Sequence, residues 1–463
     1  MTDDLTRTGS RTDSGDAAQL AALDQPRLIV ALEGARPWAS GLRLALGDVD
    51  EVLLGRGPAR TITRDGRRVT MTLPDHELSR QHAEVRRVGA GWELRDLGSK
   101  NGTQLAGHPT QGAALADGDL IELGAATLMF REEGAAIVGG DRDLAGEPTT
   151  PAGFRTLALE LERRVRDVAT LAPSDVPVLV RGETGTGKEV IARAVHEASG
   201  RGGELVAINC GALPRTLVES ELFGYRRGAF SGATADREGL VRRAHGGTLF
   251  LDEIAELPEE SQVALLRVLQ ERQVRPVGGT DSIAVDVRIV AATHQDLPRR
   301  IAEGRFRQDL YARLAGFELE LPPLRERAED LGTLIAALLP RVVPAGADPS
   351  AVRVHRGAAR ALLTYGYPLN VRELEQALRT ALVLAGGREV RLEHLPEAMR
   401  APSPRGGADA LRPEDRALRD RLIEILRATG GNVMAAARQM DKAPIQLRRW
   451  CRRFGIDLAE FRR

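Results

Sequence analysis

The chain has 463 residues, with 65 basic and 65 acidic side chains, and 42% of its residues are hydrophobic. A chain of this length is too long to fold around one ordinary hydrophobic core, and about three domains are predicted. No apolar run is long enough to span a bilayer, residues 1–4 do not resemble a signal peptide, and two cysteines cannot build a disulfide framework. These features argue against membrane-spanning and disulfide-stabilised secreted proteins and favour a cytoplasmic protein.

Residues 1–26 are rich in Thr, Ser, Asp and Gly and have no periodic apolar face, so we predict a disordered tail. Residues 27–131 carry short alternating runs between glycine-containing turns, which predicts an all-β sandwich. We expect strands at residues 28–32, 52–54, 69–73, 83–85, 92–94 and 120–123. A linker is predicted for residues 132–152, where several Gly and two Pro occur.

Three short motifs follow one another in this β region. Gly55-Arg56 comes first, Ser79-Arg80-Gln81-His82 second, and Lys100-Asn101-Gly102-Thr103 third. Each is weak alone, because Asn-Gly is a common hairpin turn and a lone histidine is usually structural. Their order and spacing within an all-β stretch resemble the forkhead-associated (FHA) domain, which binds phosphothreonine peptides.

The FHA resemblance implies a phosphopeptide site. Arg56, Ser79 and Arg80 would bind the phosphate through charge-assisted hydrogen bonds. Asn101 would bond the peptide backbone, and Lys100 would assist. The histidine of the second motif is expected to stabilise the fold rather than bind the ligand.

From residue 153 to 399, helices alternate with apolar strands, the pattern of a parallel α/β domain. The strand at 178–180 leads into the glycine-rich loop Gly182-Glu183-Thr184-Gly185-Thr186-Gly187-Lys188-Glu189. The amides of such a loop cradle phosphate oxygens, and Lys188 reaches the terminal phosphates. Glu189 stands where the general pattern has a Ser or Thr for Mg²⁺. The alternative is a glycine-rich turn without function. That alternative requires the preceding strand, the spacing of the loop and the following helix to occur together by chance.

A second apolar strand, residues 248–251, ends in Asp252-Glu253. Asp252 is placed to hold Mg²⁺, and Glu253 to polarise the attacking water. Such a pair is often only a helix cap, yet beside a phosphate loop it indicates ATP hydrolysis. Between the loop and the acidic pair lies Gly228-Ala229-Phe230-Ser231-Gly232-Ala233, which predicts a flexible loop with one apolar tip.

Residues 153–399 resemble the AAA+ domain of bacterial enhancer-binding proteins that activate sigma-54 RNA polymerase, with a helical lid from about residue 323 to 399. That family ends its phosphate loop in Lys-Glu, as this chain does at Glu189. The resemblance implies ATP and Mg²⁺ as cofactors and a ring, usually a hexamer. It also implies that Gly228, Ala229, Phe230, Ser231, Gly232 and Ala233 contact sigma-54, as the family's GAFTGA loop does.

The same resemblance assigns further roles around the ATP. Asn209 matches the residue that holds the catalytic glutamate inactive until ATP is sensed, and Thr293 matches the first sensor. Arg307 and Arg313 match the fingers donated to a neighbouring subunit's ATP, and Arg372 matches the second sensor. An arginine donated across a subunit boundary makes hydrolysis depend on assembly.

Two positions depart from the family pattern. Ser231 replaces the usual Thr, keeping the hydroxyl and losing a methyl, so we expect working but weaker engagement of sigma-54. Leu369 replaces the usual Gly before the second sensor. Because Leu does not readily take positive φ, we expect a perturbed lid turn and, at worst, impaired or altered hydrolysis.

A second linker is predicted for residues 400–414, followed by a helical, basic region at 415–463. From residue 411 onward thirteen Arg and Lys stand against seven Asp and Glu, a net charge of +6. Residues 416–456 resemble the Fis-type helix-turn-helix of these activators, which implies binding to enhancer DNA. The candidate contacts are Gln446, Arg448, Arg449 and Arg452. A basic helical dimerisation tail is the alternative.

The sequence therefore predicts an all-β FHA sandwich, an α/β AAA+ P-loop ATPase with a helical lid, and a small all-α helix-turn-helix. We expect a sigma-54-dependent activator whose homo-oligomeric ring remodels the closed polymerase complex. Its input would be a phosphothreonine-containing protein, either a Ser/Thr kinase or its substrate, and no membrane is involved. The alternative is a phospho-dependent DNA-binding adaptor or repressor whose ATPase serves assembly only.

Overall fold

The computed structural model describes residues 26–89, 91–132, 140–145, 154–400 and 413–440, and isolated positions beyond residue 440. The chain divides into two compact units, Met1–Arg400 and Ala401–Arg463. Residues 1–25 of the tail predicted at 1–26, and most of both predicted linkers, lie outside the described residues.

The first part of the chain is a β-sandwich. Its strands, within the described residues, are β1 Arg27–Glu33, β2 Leu42–Ala45, β3 Glu51–Arg56, β4 Thr61–Asp65, β5 Arg68–Leu73, β6 Ala83–Val88, β7 Gly91–Asp96, β8 Thr103–Leu105, β9 His108–Thr110, β10 Gly112–Leu115, β11 Leu120–Leu123, β12 Ala126–Arg131 and β13 Arg142–Asp143. One sheet has the order β13-β2-β1-β12-β11-β8-β9, and the other has the order β10-β7-β6-β3-β5-β4.

Alternation places the apolar residues between these sheets. In β5, Val69, Met71 and Leu73 are buried, while the intervening residues are more exposed, as the two-residue period of a strand requires. All six predicted strands fall within observed strands, so that part of the prediction is confirmed. The short strand β13 lies in the stretch predicted as a linker and pairs antiparallel with β2.

An α/β domain follows, built on five parallel strands in the order β15-β18-β21-β14-β22. These strands are β14 Val178–Arg181, β15 Leu205–Asn209, β18 Thr248–Asp252, β21 Arg288–Thr293 and β22 Phe317–Glu320. Two small hairpins are inserted, β16 Gly224–Tyr225 with β17 Arg237–Glu238, and β19 Gln273–Val274 with β20 Ile283–Ala284.

Helices cover this sheet. They are α1 Leu159–Leu171, α2 Lys188–Ser199, α3 Arg215–Phe223, α4 Leu240–Arg243, α5 Glu259–Glu271, α6 Leu297–Ala302 and α7 Gln308–Leu314. Asn209 and Asp252 end neighbouring strands and lie opposite each other in register, as do Arg181 and Thr293. Because ligands of open parallel sheets bind beyond the carboxyl ends of the strands, this edge is the expected site.

A helical lid completes the first unit. It comprises α8 Leu331–Val342, α9 Arg356–Thr364, α10 Asn370–Leu384 and α11 Glu397–Arg400, with a short parallel pair of β23 Arg353–Val354 and β24 Glu389–Val390. A connector, residues 324–330, joins β22 to α8 through two short 3-10 turns.

The sandwich and the lid share one hydrophobic core. Ile29, Leu32 and Met129 of the sandwich belong to the same buried cluster as Leu331 and Ile335 of the lid. Ile29, Leu32, Leu331 and Ile335 are at most 1% exposed. Domains joined through a large apolar interface move together, whereas relative motion is the default for weakly joined ones.

The second unit contains α12 Pro413–Ala428 and α13 Val433–Met440, in the part of the chain where a helical, basic region was predicted. Leu422, Leu426 and Ala436 form a small core with Leu447, which is fully buried as expected of a core residue. The predicted DNA contacts Gln446, Arg448, Arg449 and Arg452 lie outside the described residues. Among the described helices none is both long and apolar enough to cross a membrane.

Candidate functional site

The glycine-rich loop joins β14 to α2, and its shape depends on glycine. Gly185 and Gly187 have φ values of 79° and 103°, a region that other residues rarely adopt. A Cβ on Gly185 would also lie 2.3 Å from the carbonyl oxygen of Leu369 in the lid. The loop is therefore a glycine-shaped turn that leads directly into the amino-terminal end of α2, where backbone amides can bind an anion.

Lys188 occupies the centre of this cradle. Its side chain is 7% exposed, and Nζ donates to the carbonyl oxygens of Gly182 at 3.0 Å and Glu183 at 3.3 Å. The same ammonium is 3.8 Å from Oε1 of Glu253. The structure thus brings the lysine predicted to bind phosphate and the predicted general base together. Glu189, by contrast, is exposed and pairs with Arg193 on the helix surface.

Asp252 is the last residue of β18 and Glu253 follows it, so the two carboxylates are adjacent. Glu253 has φ 51°, a left-handed conformation that turns its side chain back toward the loop lysine. Burial and the neighbouring charge of Glu253 raise the pKa of Asp252. Two adjacent carboxylates offer the oxygen ligands that Mg²⁺ takes, since it is held through one or two carboxylates plus substrate phosphates.

The contacts of Glu253 include a residue that the sequence analysis did not assign. His294 Nδ1 lies 2.7 Å from Glu253 Oε2, and the His294 amide donates to the same oxygen at 3.4 Å. Asn209, expected to hold Glu253, instead donates from Nδ2 to Oδ2 of Asp252 at 3.3 Å. Its Oδ1 accepts from the amides of Gly211 and Ala212, which orients the amide toward Asp252.

Thr293 and Arg372 border the cradle from two sides. Thr293 is fully buried at the end of β21, and its carbonyl accepts from the Gly182 amide at 3.2 Å. Arg372, in the first turn of α10, is exposed, and its Cβ would lie 3.2 Å from a Cβ on Gly185. Both predicted sensors are therefore at the loop.

The lid turn before Arg372 corrects the expectation for Leu369. Leu369 has φ −106°, so it needs no left-handed conformation, and positive φ falls on Tyr367 and Asn370 instead. Asn tolerates this region better than most residues. The buried Asn370 side chain also donates to the Thr184 carbonyl at 3.0 Å and accepts from the Leu324 amide at 2.8 Å. Asn370 thus ties the lid to the loop, a role that sequence analysis missed.

The predicted fingers lie away from these contacts. Arg307 precedes α7 and forms a two-point ion pair with Asp309, at 3.0 and 2.7 Å. Arg313 is exposed in the last turn of the same helix. Arg307 is half-buried and Arg313 is exposed, so both arginines lie at the surface at the two ends of α7.

The apolar-tipped loop is the turn between β16 and β17. Gly228 and Gly232 have φ values of 81° and 110°, and the Gly228 amide donates to the Ala233 carbonyl at 2.8 Å. Phe230 is 42% exposed, and its ring meets the ring of Tyr225 edge-on, with centroids 4.9 Å apart. The hairpin therefore presents an aromatic side chain to solvent, with Ser231 exposed beside it.

A second candidate site lies on the sandwich. Arg56 and Arg80 line a cavity of about 560 Å³ together with Gly57, Pro58, Pro74, Asp75 and His76. A Cβ on Gly55 would lie 2.0 Å from the Arg80 carbonyl oxygen, so only glycine lets these two loops meet. Two exposed guanidinium groups beside one cavity suit a phosphate ligand.

The other predicted phosphopeptide residues are not among those that line this cavity. Their hydrogen bonds join the loop that carries Arg80 to the loop at residues 100–101. Ser79 Oγ accepts from the Lys100 amide at 3.1 Å, and Asn101 Nδ2 donates to the Glu77 carbonyl at 2.7 Å. His82 is fully buried, and its Nδ1 accepts from the Ser79 amide at 3.1 Å. Burial lowers the pKa of His82, which favours the neutral ring that this contact needs. His82 therefore stabilises the fold, as expected.

Comparison with known families matches three parts of the chain. Residues 156–320 match the Sigma-54 interaction domain, residues 325–411 the AAA+ ATPase lid domain, and residues 52–124 the FHA domain. The α/β domain with its lid is thus an AAA+ ATPase domain, and the sandwich is an FHA domain.

Curated relatives extend this likeness. The chain is 41% identical over 349 residues to the response regulator protein PilR of Pseudomonas aeruginosa, covering 73% of this chain and 76% of PilR. It is 44% identical over 283 residues to the transcriptional regulatory protein ZraR of Escherichia coli, covering 60% of this chain. It is also 43% identical over 302 residues, 62% of this chain, to the hydrogenase transcriptional regulatory protein HoxA of Cupriavidus necator. The matched region spans 64% of the length of ZraR and 62% of HoxA.

Among solved structures, the chain is similar to NtrX from Brucella abortus in complex with ADP. The two are 30% identical with a TM-score of 0.50, over 65% of this chain and 70% of that one.

Proposed function

We propose that this chain, which belongs to the family of sigma-54-dependent regulators, is an ATP-driven activator of sigma-54 RNA polymerase under the control of phosphothreonine recognition. The observation that carries this proposal is the hairpin tip at Phe230, which exposes an aromatic side chain on an ATPase domain. Hydrolysis does not need such a tip, whereas pushing on another protein does.

The ATP site supplies the motor. The loop amides and Lys188 would bind the phosphates, and Glu253 would orient and polarise the attacking water. Asp252 would hold Mg²⁺, which neutralises the charge that develops on the phosphates. Oε2 of Glu253 lies 2.7 Å from His294 Nδ1. This oxygen would exchange its contact with the histidine for one with the attacking water.

Assembly would complete the site. Arg307 and Arg313 would reach the ATP of a neighbouring subunit in a ring, so that hydrolysis occurs only in the oligomer. Asn209 would link the acidic pair to the sensing of ATP. Thr293 and Arg372 would report the nucleotide to the sheet and to the lid respectively.

The two end domains of the chain would recognise the regulatory partner and the DNA. Arg56, Ser79 and Arg80, with Lys100 and Asn101, would bind a phosphothreonine segment of a partner protein. The basic region from residue 415 would bind enhancer DNA through Gln446, Arg448, Arg449 and Arg452.

Open-complex formation tests the proposed function directly. The purified full chain with ATP should stimulate opening of a sigma-54 promoter by sigma-54 RNA polymerase, and a non-hydrolysable ATP analogue should not. A sigma-70 promoter serves as the control and should not respond. An adaptor or repressor would bind DNA and hydrolyse ATP without stimulating opening, and that result would reject the activator function.

Phosphopeptide binding is expected to depend on the arginines at the sandwich cavity. Replacing Arg80 by Ala should weaken binding of phosphothreonine peptides about tenfold or more, because a charge-assisted bond to the phosphate is lost. Screening a phosphothreonine peptide library by fluorescence anisotropy, with unphosphorylated copies, measures this. Arg95→Ala, an exposed arginine on β7, is the matched control and should bind like wild type; equal binding by all three proteins would contradict the assignment.

A further inference from the structure

At two points the FHA sandwich and the lid meet backbone against backbone. A Cβ on Gly34 would lie 2.1 Å from the carbonyl oxygen of Val354, and one on Gly332 would lie 2.2 Å from that of Ala31. The Val354 amide donates to the Gly34 carbonyl at 2.8 Å. Only glycine permits such approach, so the two surfaces are shaped for each other.

An ion pair between a half-buried arginine and a buried glutamate crosses the same interface into the connector. Arg131 of β12 contacts Glu329 with 2.9 Å between Nη2 and Oε2, and the Glu329 side chain is 6% exposed. Arg27, which is also buried, adds a second positive charge. Burial alone would raise the pKa of Glu329, but Arg131 and Arg27 outweigh it and hold that pKa below its usual range. The carboxylate is therefore charged and depends on the sandwich for its partners.

The connector reaches the ATP cradle on its other side. Arg327, 1% exposed, donates from Nη2 to the carbonyl oxygen of Thr186 at 2.7 Å. Arg325 forms a two-point ion pair with Glu183 at 2.9 and 2.7 Å. Both acceptors belong to the glycine-rich loop. Residues 324–330 thus contact the loop and the sandwich at once, within two short turns.

The candidate phosphopeptide cavity is joined to the lid by a separate set of bonds. Asp75, which lines that cavity, accepts from the Ala125 amide at 2.8 Å. The Ala125 carbonyl accepts from the Gly34 amide at 2.9 Å, and Gly34 in turn bonds Val354 of the lid. Three consecutive hydrogen bonds therefore lead from the cavity to the lid.

We infer that the FHA domain sets the affinity of the ATP site through the connector, with Arg131 and Glu329 as positioning residues for the glycine-rich loop. The inference rests on the proposed binding of ATP at Lys188. Without Arg131, the buried carboxylate of Glu329 draws the turn at residues 328–330 toward solvent. Arg327 moves with this turn, and the Thr186 carbonyl loses its buried donor. The loop must then be ordered by the nucleotide itself, which costs binding free energy.

A double-mutant cycle on the full chain tests this route. Arg131→Met and Glu329→Gln should each weaken binding of a fluorescent ADP analogue roughly five- to tenfold, a typical coupling between sites. The double variant should be no weaker than either single variant, because both remove one shared interaction. The KM for ATP should rise by the same factor, with kcat changed by less than about twofold.

Arg360→Ala is the matched control. Arg360 also ties the lid to the sandwich, by a two-point ion pair with Glu122 at 2.6 and 2.5 Å, but it lies on α9 and not on the connector. Its loss should lower the melting temperature as the other variants do and leave nucleotide affinity at the wild-type value. If Arg131→Met fails to fold, Arg131→Lys keeps the charge and should give an intermediate affinity.

Two results overturn the inference. One is wild-type affinity in folded Arg131→Met and Glu329→Gln, and the other is an equal loss of affinity in Arg360→Ala. Failure of the proposed function looks different, because the wild-type chain would then fail to open a sigma-54 promoter while the variants could still differ from it in nucleotide affinity.

Discussion

Replacing Phe230 by Ala should reduce sigma-54 open-complex formation to the level seen without the protein, a loss of roughly 30-fold or more, as for a central aromatic contact. The ring is 42% exposed and its described aromatic neighbour is Tyr225 of the same hairpin, so its removal leaves the ATP cradle intact. ATP hydrolysis should therefore stay within about twofold of wild type, as for a surface substitution. Promoter opening and phosphate release, measured on the same preparation, separate these two effects.

Ser231→Thr is the control beside it. This change restores the side chain that the family carries, and Ser231 is exposed, so no buried contact is disturbed. Activation should equal or exceed that of wild type. Unchanged activation in Phe230→Ala would show that the hairpin does not transmit the motion.

Replacing Glu253 by Gln should abolish ATP turnover while ATP still binds. A positioned general base contributes about 10²- to 10⁴-fold to a rate, and Gln keeps the shape of Glu without its basicity. Binding should persist because Lys188 and the loop amides remain, and the lysine loses only a charge 3.8 Å away. Steady-state phosphate release and titration with a fluorescent ATP analogue give the two quantities.

Glu260→Gln is the matched variant for this test, since Glu260 is an exposed glutamate at the start of α5, outside the cradle. It should turn over ATP like wild type. Removal of Mg²⁺ by a chelator should stop hydrolysis in every variant, because Asp252 then has no cation to present to the phosphates. Turnover by Glu253→Gln at the wild-type rate would remove Glu253 from the mechanism.

The motifs of both sites could be recognised in the sequence because the residues of each motif are close together along the chain. The glycine-rich loop, the acidic pair at the end of β18 and the sandwich loops depend on residues close together in sequence, and short-range backbone preferences place them. The structure brings Lys188 within 3.8 Å of Glu253 and Arg56 beside Arg80 at one cavity, as the sequence led us to expect.

Other parts of the sites depended on contacts that no spacing reveals. His294 could be suspected only because it follows Thr293, yet its bond to Glu253 joins the ends of two different strands. The lid turn places positive φ on Asn370 rather than on Leu369, because the Asn370 side chain is bonded to the loop and to the connector. The family pattern identified this turn correctly. Its usual glycine led us to expect strain at Leu369, whereas the left-handed residue is Asn370.

The sequence by itself determined the elements, since apolar periodicity and glycine placement act over a few residues. Only the tertiary structure decided how the FHA sandwich and the ATPase meet. That interface pairs Glu122 with Arg360 and Arg131 with Glu329, residues 238 and 198 positions apart, across a shared core. A long-range contact depends on the complementary shape and charge of two folded surfaces, and neither surface exists until its own domain has folded.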